Sequence, residues 1–203
     1  MPKKLIAVLI TFTLLFSACS KQKTLSLLLP SDVVLAFGDS LTVGVGAKKS
    51  ESYPTILQDI TGLQVTSSGV SGETTRQGLA RLEAVLAQTQ PKLVLLLEGG
   101  NDILKNRKPQ ETKNNLADMV ALIRSFGAEV VLIGVPPKKI FASECANFYQ
   151  ELAQELDVIL NCDTVGDLLQ DNSVKSDTVH LNAAGYTRLA EAIAKFLERH
   201  EAI

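Results

Sequence analysis

Short, uninterrupted apolar runs alternate along the chain with longer segments in which apolar residues recur every three or four positions. The first pattern is typical of strands buried on both faces, and the second of amphipathic helices. The apolar runs predict strands at Val33–Phe37, Leu63–Thr66, Leu93–Leu97, Val130–Val135 and Val158–Leu160. The periodic segments predict helices at Ser52–Thr61, Thr75–Gln90, Pro109–Phe126, Ser143–Leu156 and Asn182–His200, with one helical turn at Thr164–Leu169. This alternation indicates an α/β fold, a single three-layer αβα domain with a parallel sheet.

Composition is that of an ordinary globular protein and argues against several partners. Hydrophobic residues make up 46% and charged residues 21% of the 203 residues, enough for one domain with a sizeable core. A net charge of -2, few aromatics and no tryptophan argue against nucleic acid as a partner. Two histidines without a zinc motif, and no phosphate-loop or dinucleotide fingerprint, lead us to expect no metal and no cofactor.

The first nineteen residues have the pattern of an export signal. Lys3 and Lys4 precede the apolar run Leu5–Phe16, which is too short to span a bilayer comfortably. Small residues ending in Ala18 then precede Cys19, an arrangement that resembles a bacterial lipobox, in which the peptide is cut before a cysteine that becomes lipidated. The alternative is an ordinary signal peptide cut near Ala18, which leaves Cys19 as an incidental thiol.

These features predict three segments. We expect a lipoprotein-type signal peptide over 1–18, the lipidated cysteine and a tether over 19–30, and the folded domain over 31–203. Leu27–Leu29 could instead pack on the sheet. The protein would then be exported to the cell envelope and anchored to a membrane through lipid, on the periplasmic side in a Gram-negative cell. The sequence leaves the oligomeric state open.

The remaining cysteines, Cys145 and Cys162, form an even pair. In an exported protein such a pair can form a disulfide, and two buried thiols are the alternative. The sequence does not separate the two.

Candidate chemistry collects where the predicted strands end. Ser40 follows the first strand, where a hydroxyl is either a nucleophile or a helix N-cap. Asp177 and His180 lie in a polar loop before the last helix, spaced so that a short turn brings the carboxylate to one imidazole nitrogen. His200, near the end of that helix, is expected to be solvated. Because carboxyl ends of parallel strands share one edge, these groups are expected to meet there, which favours acyl transfer.

Four sequence blocks in this order resemble the SGNH hydrolases, also called GDSL-type esterases. They are Gly38-Asp39-Ser40-Leu41, Ser71-Gly72-Glu73-Thr74-Thr75, Gly99-Gly100-Asn101-Asp102 and Asp177-Thr178-Val179-His180. The resemblance covers nearly all of the chain from Val33 to the end and is greatest to the bacterial periplasmic arylesterase and thioesterase–lysophospholipase group. It implies a flavodoxin-like sheet and a serine esterase.

The resemblance also implies roles for individual residues. Ser40 corresponds to the nucleophile, and Asp177 orients His180 as general base. The backbone N–H groups of Ser40 and Gly72 and the Asn101 amide correspond to an oxyanion hole.

We also have expectations for the surroundings of four other residues in or near these blocks. Asp39 is expected to be structural, bonded within its own loop. Glu73 and Arg76 are expected to be solvated. Many relatives carry asparagine where this chain has Ser68, which leaves the hydrogen bonding of that loop open.

Three functions follow from these observations. The favoured one is hydrolysis of acyl or aryl esters, including lysophospholipids or thioesters, so the partner is a small-molecule or lipid ester. A carbohydrate O-acetylesterase on the same fold and a non-catalytic ligand-binding envelope lipoprotein are the alternatives. The pair Asp177 and His180 disfavours the last, and the mixed segment Val135–Ala142 favours an apolar acyl chain.

Overall fold

The computed structural model describes residues 23–138 and 143–203. The predicted signal peptide, Cys19 and part of the segment Val135–Ala142 lie outside the described residues. No helix within the two described stretches has the length and apolar character needed to cross a membrane.

Five parallel strands form one sheet in the order β2-β1-β3-β4-β5. They are β1 (Val33–Gly38), β2 (Gln64–Gly69), β3 (Leu93–Leu97), β4 (Glu129–Ile133) and β5 (Ile159–Asn161). Val34 of β1 faces Val65 on one side and Leu93 on the other. This is the flavodoxin-like strand order, which places the switch point between β1 and β3, and it confirms the predicted fold class.

Helices cover both faces of the sheet. They are α1 (Ser40–Val43), α2 (Tyr53–Thr61), α3 (Thr75–Thr89), α4 (Gly100–Leu104), α5 (Pro109–Ser125), α6 (Asn147–Leu156), α7 (Thr164–Gln170) and α8 (Ala183–Arg199). On one face α2 and α7 pack against α8, and on the other α5 packs between α3 and α6. The sheet is therefore the middle of three layers.

The core forms where apolar faces of the helices meet the central strands. Every residue of β3 is buried, as expected for a strand covered on both sides. Tyr53, Tyr149 and Tyr186 are the bulkiest fully buried side chains among the described residues. Burying one leucine of β3 contributes about 2 kcal/mol, so this strand is a major source of stability.

Most element boundaries lie within one or two residues of the predicted ones, and two differ by more. β2 continues to Gly69 through a stretch predicted as loop, because its backbone pairs with β1 up to Gly38. The helix predicted from Ser143 begins at Asn147, because the Ala146 N–H is bonded to the carbonyl of Val135 outside the helix. The short α4 was not predicted from the sequence.

Residues 23–29, which we call the N-terminal strap, are packed on the domain and do not form a free tether. Leu25 and Leu28 are buried. Their N–H groups donate to the carbonyls of His200 and Ala202, each at 2.8 Å. Over residues 23–29 the chain is therefore held to the domain, because Leu25 and Leu28, three residues apart, find apolar surroundings and backbone partners at the end of the chain.

Cys145 and Cys162 are joined by a disulfide with a Cα–Cα distance of 4.9 Å. The bond links the segment that follows β4 to the residue after β5. It therefore ties together the ends of two adjacent strands.

Replacing both cysteines by serine is expected to lower the free energy of unfolding by about 3 kcal/mol, because the unfolded chain regains the entropy of a loop with a sequence separation of 17. Denaturant unfolding of Cys145→Ser/Cys162→Ser and of the oxidised wild type measures the difference. In reductant, the free energy of unfolding of the wild type should approach that of the variant. An unchanged free energy of unfolding, or an oxidised wild type whose mass shows two free thiols, would contradict this prediction.

Candidate active site

Ser40 lies at the carboxyl end of β1, as the first residue of α1. Asp39 caps this short helix, its Oδ1 accepting the Leu41 N–H at 3.0 Å. The N–H of Ser40 belongs to the first turn and has no partner within the helix. A side chain at Gly38 would come within 2.3 Å of the Leu97 carbonyl oxygen, so the close approach of β1 to β3 requires glycine there. Ser40 is thus held rigidly with a backbone donor beside its hydroxyl.

His180 connects Ser40 to Asp177. Its Nε2 is 2.9 Å from the Ser40 Oγ, and its Nδ1 is 2.7 Å from the Asp177 Oδ2. With the proton on Nδ1, the ring donates to the carboxylate and leaves Nε2 as an acceptor for the Ser40 hydroxyl. The three side chains form one continuous series of hydrogen bonds.

The loop that carries Asp177 is fixed by its own backbone. The Asp177 Oδ1 accepts the N–H groups of Val179 and His180, each at 2.8 Å. The His180 ring and these N–H groups lower the pKa of Asp177 to about 2, so the group is a carboxylate at neutral pH. Asn182 caps α8 and also donates to the carbonyls of Ser173 and Lys175, which closes the loop.

Gly72 lies in the loop that follows β2. Its φ of 78° is in the left-handed region, and a side chain there would meet nothing within 4 Å, so backbone conformation is what favours glycine. Its carbonyl accepts a hydrogen bond from the Lys105 Nζ at 2.8 Å. In the described stretches 23–138 and 143–203, its N–H has no hydrogen-bond partner.

Asn101 is in the first turn of α4, directly after β3. Its Nδ2 donates to the Asp39 Oδ2 at 3.1 Å, so Asp39 links the Ser40 turn to Asn101. The neighbouring Asp102 is buried and accepts from the backbone and hydroxyl of Thr75, both at 2.8 Å. These contacts fix α4 against the start of α3. Asp39 therefore stabilises a second loop, the one that carries Asn101, besides the loop of its own in which a structural role was expected.

Arg81 on α3 forms a network that sequence patterns did not reveal. Its Nε donates to Glu73 at 2.8 Å, its Nη1 to the Ser68 hydroxyl at 2.7 Å, and its guanidinium stacks over Phe37 at 4.0 Å. The expectation that Glu73 is solvated was wrong, because Glu73 is buried as the ion-pair partner of Arg81. Ser68, whose hydrogen bonding the sequence left open, has a direct partner here.

Two further carboxyl groups lie buried behind the site. Burial, with Glu73 nearby, raises the pKa of Asp39 to about 6, while the Leu41 N–H and His180 act in the opposite direction. Burial, with Asp39 and Glu73 nearby, raises the pKa of Glu98 to about 10, so Glu98 is neutral at pH 7. Neither Glu98 oxygen has a hydrogen-bond partner in the described part of the chain.

The candidate residues Ser40, Gly72, Asn101, Asp177 and His180 all lie on elements or loops at the carboxyl edge of the sheet. Arg76 is exposed, as expected. His200 lies at the opposite edge, where it stacks on Phe196 and donates to the carbonyl of Lys23, so it is not fully solvated. Arg81 and Glu73 were missed because their contact joins positions eight residues apart that carry no motif.

An open cleft of about 780 Å³ begins beside this edge. It lies between α4, the start of α5 and the start of α6, with Ile103, Pro137 and Phe148 among its apolar walls and Arg107 and Lys138 among its basic ones. The cleft adjoins Asn101 through Ile103 but does not include Ser40. Neither Asn101 nor His180 is among its lining residues either.

Comparisons with known proteins agree with the fold and identify a family. A model of the GDSL-like lipase/acylhydrolase family matches residues 36–188. The chain is 33% identical over 175 residues to thioesterase 1/protease 1/lysophospholipase L1 of Escherichia coli K12, covering 83% of this chain and 84% of that protein. It is 33% identical over 180 residues to an arylesterase of Vibrio mimicus, covering 84% and 90%. The crystal structure of TesA superposes with a TM-score of 0.74 at 26% identity, covering 83% of this chain and 99% of that one.

The fold and these similarities define the class of protein as an ester-bond hydrolase built on a parallel α/β sheet. The chain belongs to the GDSL-like lipase/acylhydrolase family, the SGNH hydrolases that its sequence blocks resemble.

Replacing Asp39 by asparagine is expected to change how stability depends on pH. The folded-state pKa of about 6 is above the usual 3.8, so the folded protein holds this proton longer than the unfolded chain does. The contribution of Asp39 to stability therefore falls as pH rises from about 4 to 6, by about 3 kcal/mol for a shift of about two units.

Asp39→Asn lacks this titration and keeps an acceptor for the Leu41 N–H. Its free energy of unfolding relative to wild type should rise by about 3 kcal/mol between pH 3.5 and 7.5, measured by denaturant unfolding. Asp59→Asn, at an exposed carboxylate, is the matched control. A constant difference between Asp39→Asn and wild type would show that Asp39 does not titrate in this range.

Proposed function

We propose that this protein is a serine esterase that hydrolyses carboxylic acyl or aryl esters through Ser40, His180 and Asp177. The observation that carries the proposal is the hydrogen-bond series from the Ser40 Oγ through both ring nitrogens of His180 to the Asp177 Oδ2, at 2.9 and 2.7 Å. A nucleophile, a base within reach of its proton and a group that orients the base are what covalent acyl transfer requires.

Acylation would begin at the Ser40 hydroxyl. The Oγ attacks the ester carbonyl carbon as its proton passes to the Nε2 of His180. The Asp177 carboxylate, held charged by its own hydrogen bonds, stabilises the imidazolium that forms. The tetrahedral intermediate then collapses, and His180 gives the same proton to the leaving alcohol.

The negative charge on the substrate oxygen needs donors that are already in place. The N–H groups of Ser40 and Gly72 and the second amide hydrogen of Asn101 would supply them. In support, the Gly72 N–H has no other partner in the described residues, and Asp39 fixes the Asn101 amide through only one of its two hydrogens. One such donor is worth about 3 kcal/mol of the barrier.

Water would complete the cycle by the reverse path. His180 removes a proton from a water molecule, the resulting hydroxide attacks the acyl carbon, and the second tetrahedral intermediate releases the carboxylic acid and restores the Ser40 hydroxyl.

The rim of the site favours an ester with an apolar acyl or aryl group. Val43, Val70 and Leu104 lie on the elements that follow β1, β2 and β3, and each is 38–44% exposed. Large exposed apolar side chains around a site are suited to hydrocarbon and leave a sugar's hydroxyls without partners. Thioesters and lysophospholipids belong in the substrate screen because a relative bears those names. Acetylated carbohydrate is the competing class.

We further propose that the protein is exported and anchored to the cell envelope by lipid on Cys19. The support is the signal pattern over 1–18 and the disulfide between Cys145 and Cys162, a bond typical of proteins outside the reducing cytosol.

Replacing Ser40 by alanine is expected to abolish labelling by a fluorophosphonate and to reduce ester turnover by at least about a thousandfold, because the nucleophile is gone. Labelling of the intact chain is read by gel fluorescence and turnover with p-nitrophenyl esters of increasing acyl length. His180→Ala should also lose labelling.

Ser71→Ala, which replaces an exposed serine on the same sheet edge, is the control and should label normally. Normal turnover by folded Ser40→Ala would reject Ser40 as nucleophile, and no labelling of the folded wild type would favour a binding protein.

Replacing Asn101 by alanine is expected to lower kcat by about a hundredfold with little change in KM, because the amide acts on charge that develops only in the transition state. Steady-state kinetics with the best p-nitrophenyl ester measure both constants. Asn114→Ala, at an exposed asparagine of α5, is the matched control. Thermal unfolding of both variants shows whether the lost contact to Asp39 matters for folding. A rise in KM at unchanged kcat would assign Asn101 to substrate binding instead.

A further inference from the structure

The N-terminal strap is fixed at the edge of the sheet where the strands begin. The Ser26 N–H donates to the carboxylate of Glu129, the first residue of β4, at 2.9 Å. Lys23 forms an ion pair at 2.6 Å with Asp157, two residues before β5. With the backbone bonds to the end of the chain, these contacts hold both ends of the strap against the amino edge.

The candidate active site occupies the opposite edge. Ser40 and Asn101 follow the last residues of β1 and β3, and Gly72 follows β2. A strand of six residues such as β1 spans about 20 Å at 3.3 Å per residue. The strap and the Ser40 hydroxyl are therefore separated by the full length of the sheet.

The distance from Cys19 to the strap limits how the domain can sit. Lys23 is four residues after Cys19, and four residues reach about 14 Å even when fully extended. A lipid on Cys19 would thus keep the amino edge close to the membrane surface. The 14 Å is less than the length of the sheet, so this connection is too short for the domain to turn over.

Exposed apolar side chains on the amino edge fit this arrangement. Leu27 and Leu29 on the strap are 64% and 55% exposed. The neighbouring Leu25 and Leu28 are buried. Ile60 at the end of α2 and Phe126 after α5 are also exposed, and both helices end at the amino edge. A bilayer interface would cover such residues.

We propose that the strap holds the amino edge of the sheet against the membrane that carries the anchor and directs Ser40 away from it. The substrate is then an ester that reaches the site through the aqueous phase, not a lipid of the anchoring membrane. The proposal rests on the proposed esterase activity and on lipid at Cys19.

The orientation is tested first, without reference to activity. The full chain is purified from membranes and returned to phosphatidylcholine vesicles that carry a quencher on the lipid headgroup. A thiol fluorophore is placed at Asp59→Cys, on the last turn of α2 at the amino edge, or at Glu111→Cys, on the first turn of α5 at the site edge. Both positions are exposed. Strong quenching at Asp59→Cys and weak quenching at Glu111→Cys is expected. Equal or reversed quenching, or unmodified Cys19 in a soluble protein, would overturn the proposal.

The consequence for substrates is tested with a longer connection. About 20 glycine and serine residues inserted between Gln22 and Lys23 add roughly 25 Å of average reach. Hydrolysis of a long-chain fluorogenic ester lipid embedded in the same vesicles should rise about tenfold or more with the insertion, because the site gains access to the surface. Hydrolysis of p-nitrophenyl butyrate in solution should not change. Equal rates on the embedded ester would reject the substrate assignment, whereas the absence of both activities from the folded protein with and without the insertion would reject the esterase function itself.

Discussion

One guanidinium group fixes the edge of the sheet on which the site is built. Arg81 extends from α3 beneath the ends of β1 and β2, where its Nη2 reaches the backbone carbonyls of Ser68 and Gly38 at 3.0 and 3.4 Å. The same group pairs with Glu73, next to Gly72. Loops at the ends of parallel strands have few backbone partners of their own, so a fixed cation with five donors is well suited to join the ends of β1 and β2 to the loop that carries Gly72.

The charges around Arg81 are balanced through protonation. Asp39, Glu73 and Glu98 are all buried within one region, and one arginine cannot neutralise three carboxylates. Glu73 has the direct ion pair, and the raised pKa of Glu98 keeps that group neutral. Asp39 is intermediate, since it accepts two hydrogen bonds and yet has a raised pKa of about 6. The burial of these carboxyl groups costs stability. The same buried network holds the Ser40 turn and Asn101 in one geometry.

Local patterns predicted most of the fold and the candidate residues that the structure brings together. β3 was predicted with its observed ends, because Pro91 and Gly99 bound a run that is apolar throughout. β2 was predicted too short, because the residues Ser67 and Ser68 resemble a loop and only pairing with β1 makes them a strand. Ser40, Gly72 and Asn101 follow strand ends, and a parallel sheet brings such ends together whatever the loops contain. Asp177 and His180 reach them from the loop before α8. The buried ion pair of Glu73 was not predictable, because no spacing rule connects it to Arg81.

The N-terminal strap shows what composition leaves open at the start of the domain. Residues 23–29 precede a proline, as a linker often does, yet they include four leucines. Leu25 and Leu28 are buried, and their N–H groups are bonded to the chain just after α8. The attachment has a geometric consequence for function, because a parallel sheet has two different edges. Groups that end strands form the site, and anything bound where strands begin is separated from it by the length of a strand. When the N-terminal strap is held at a surface, the strand topology therefore determines that the candidate site faces away from that surface.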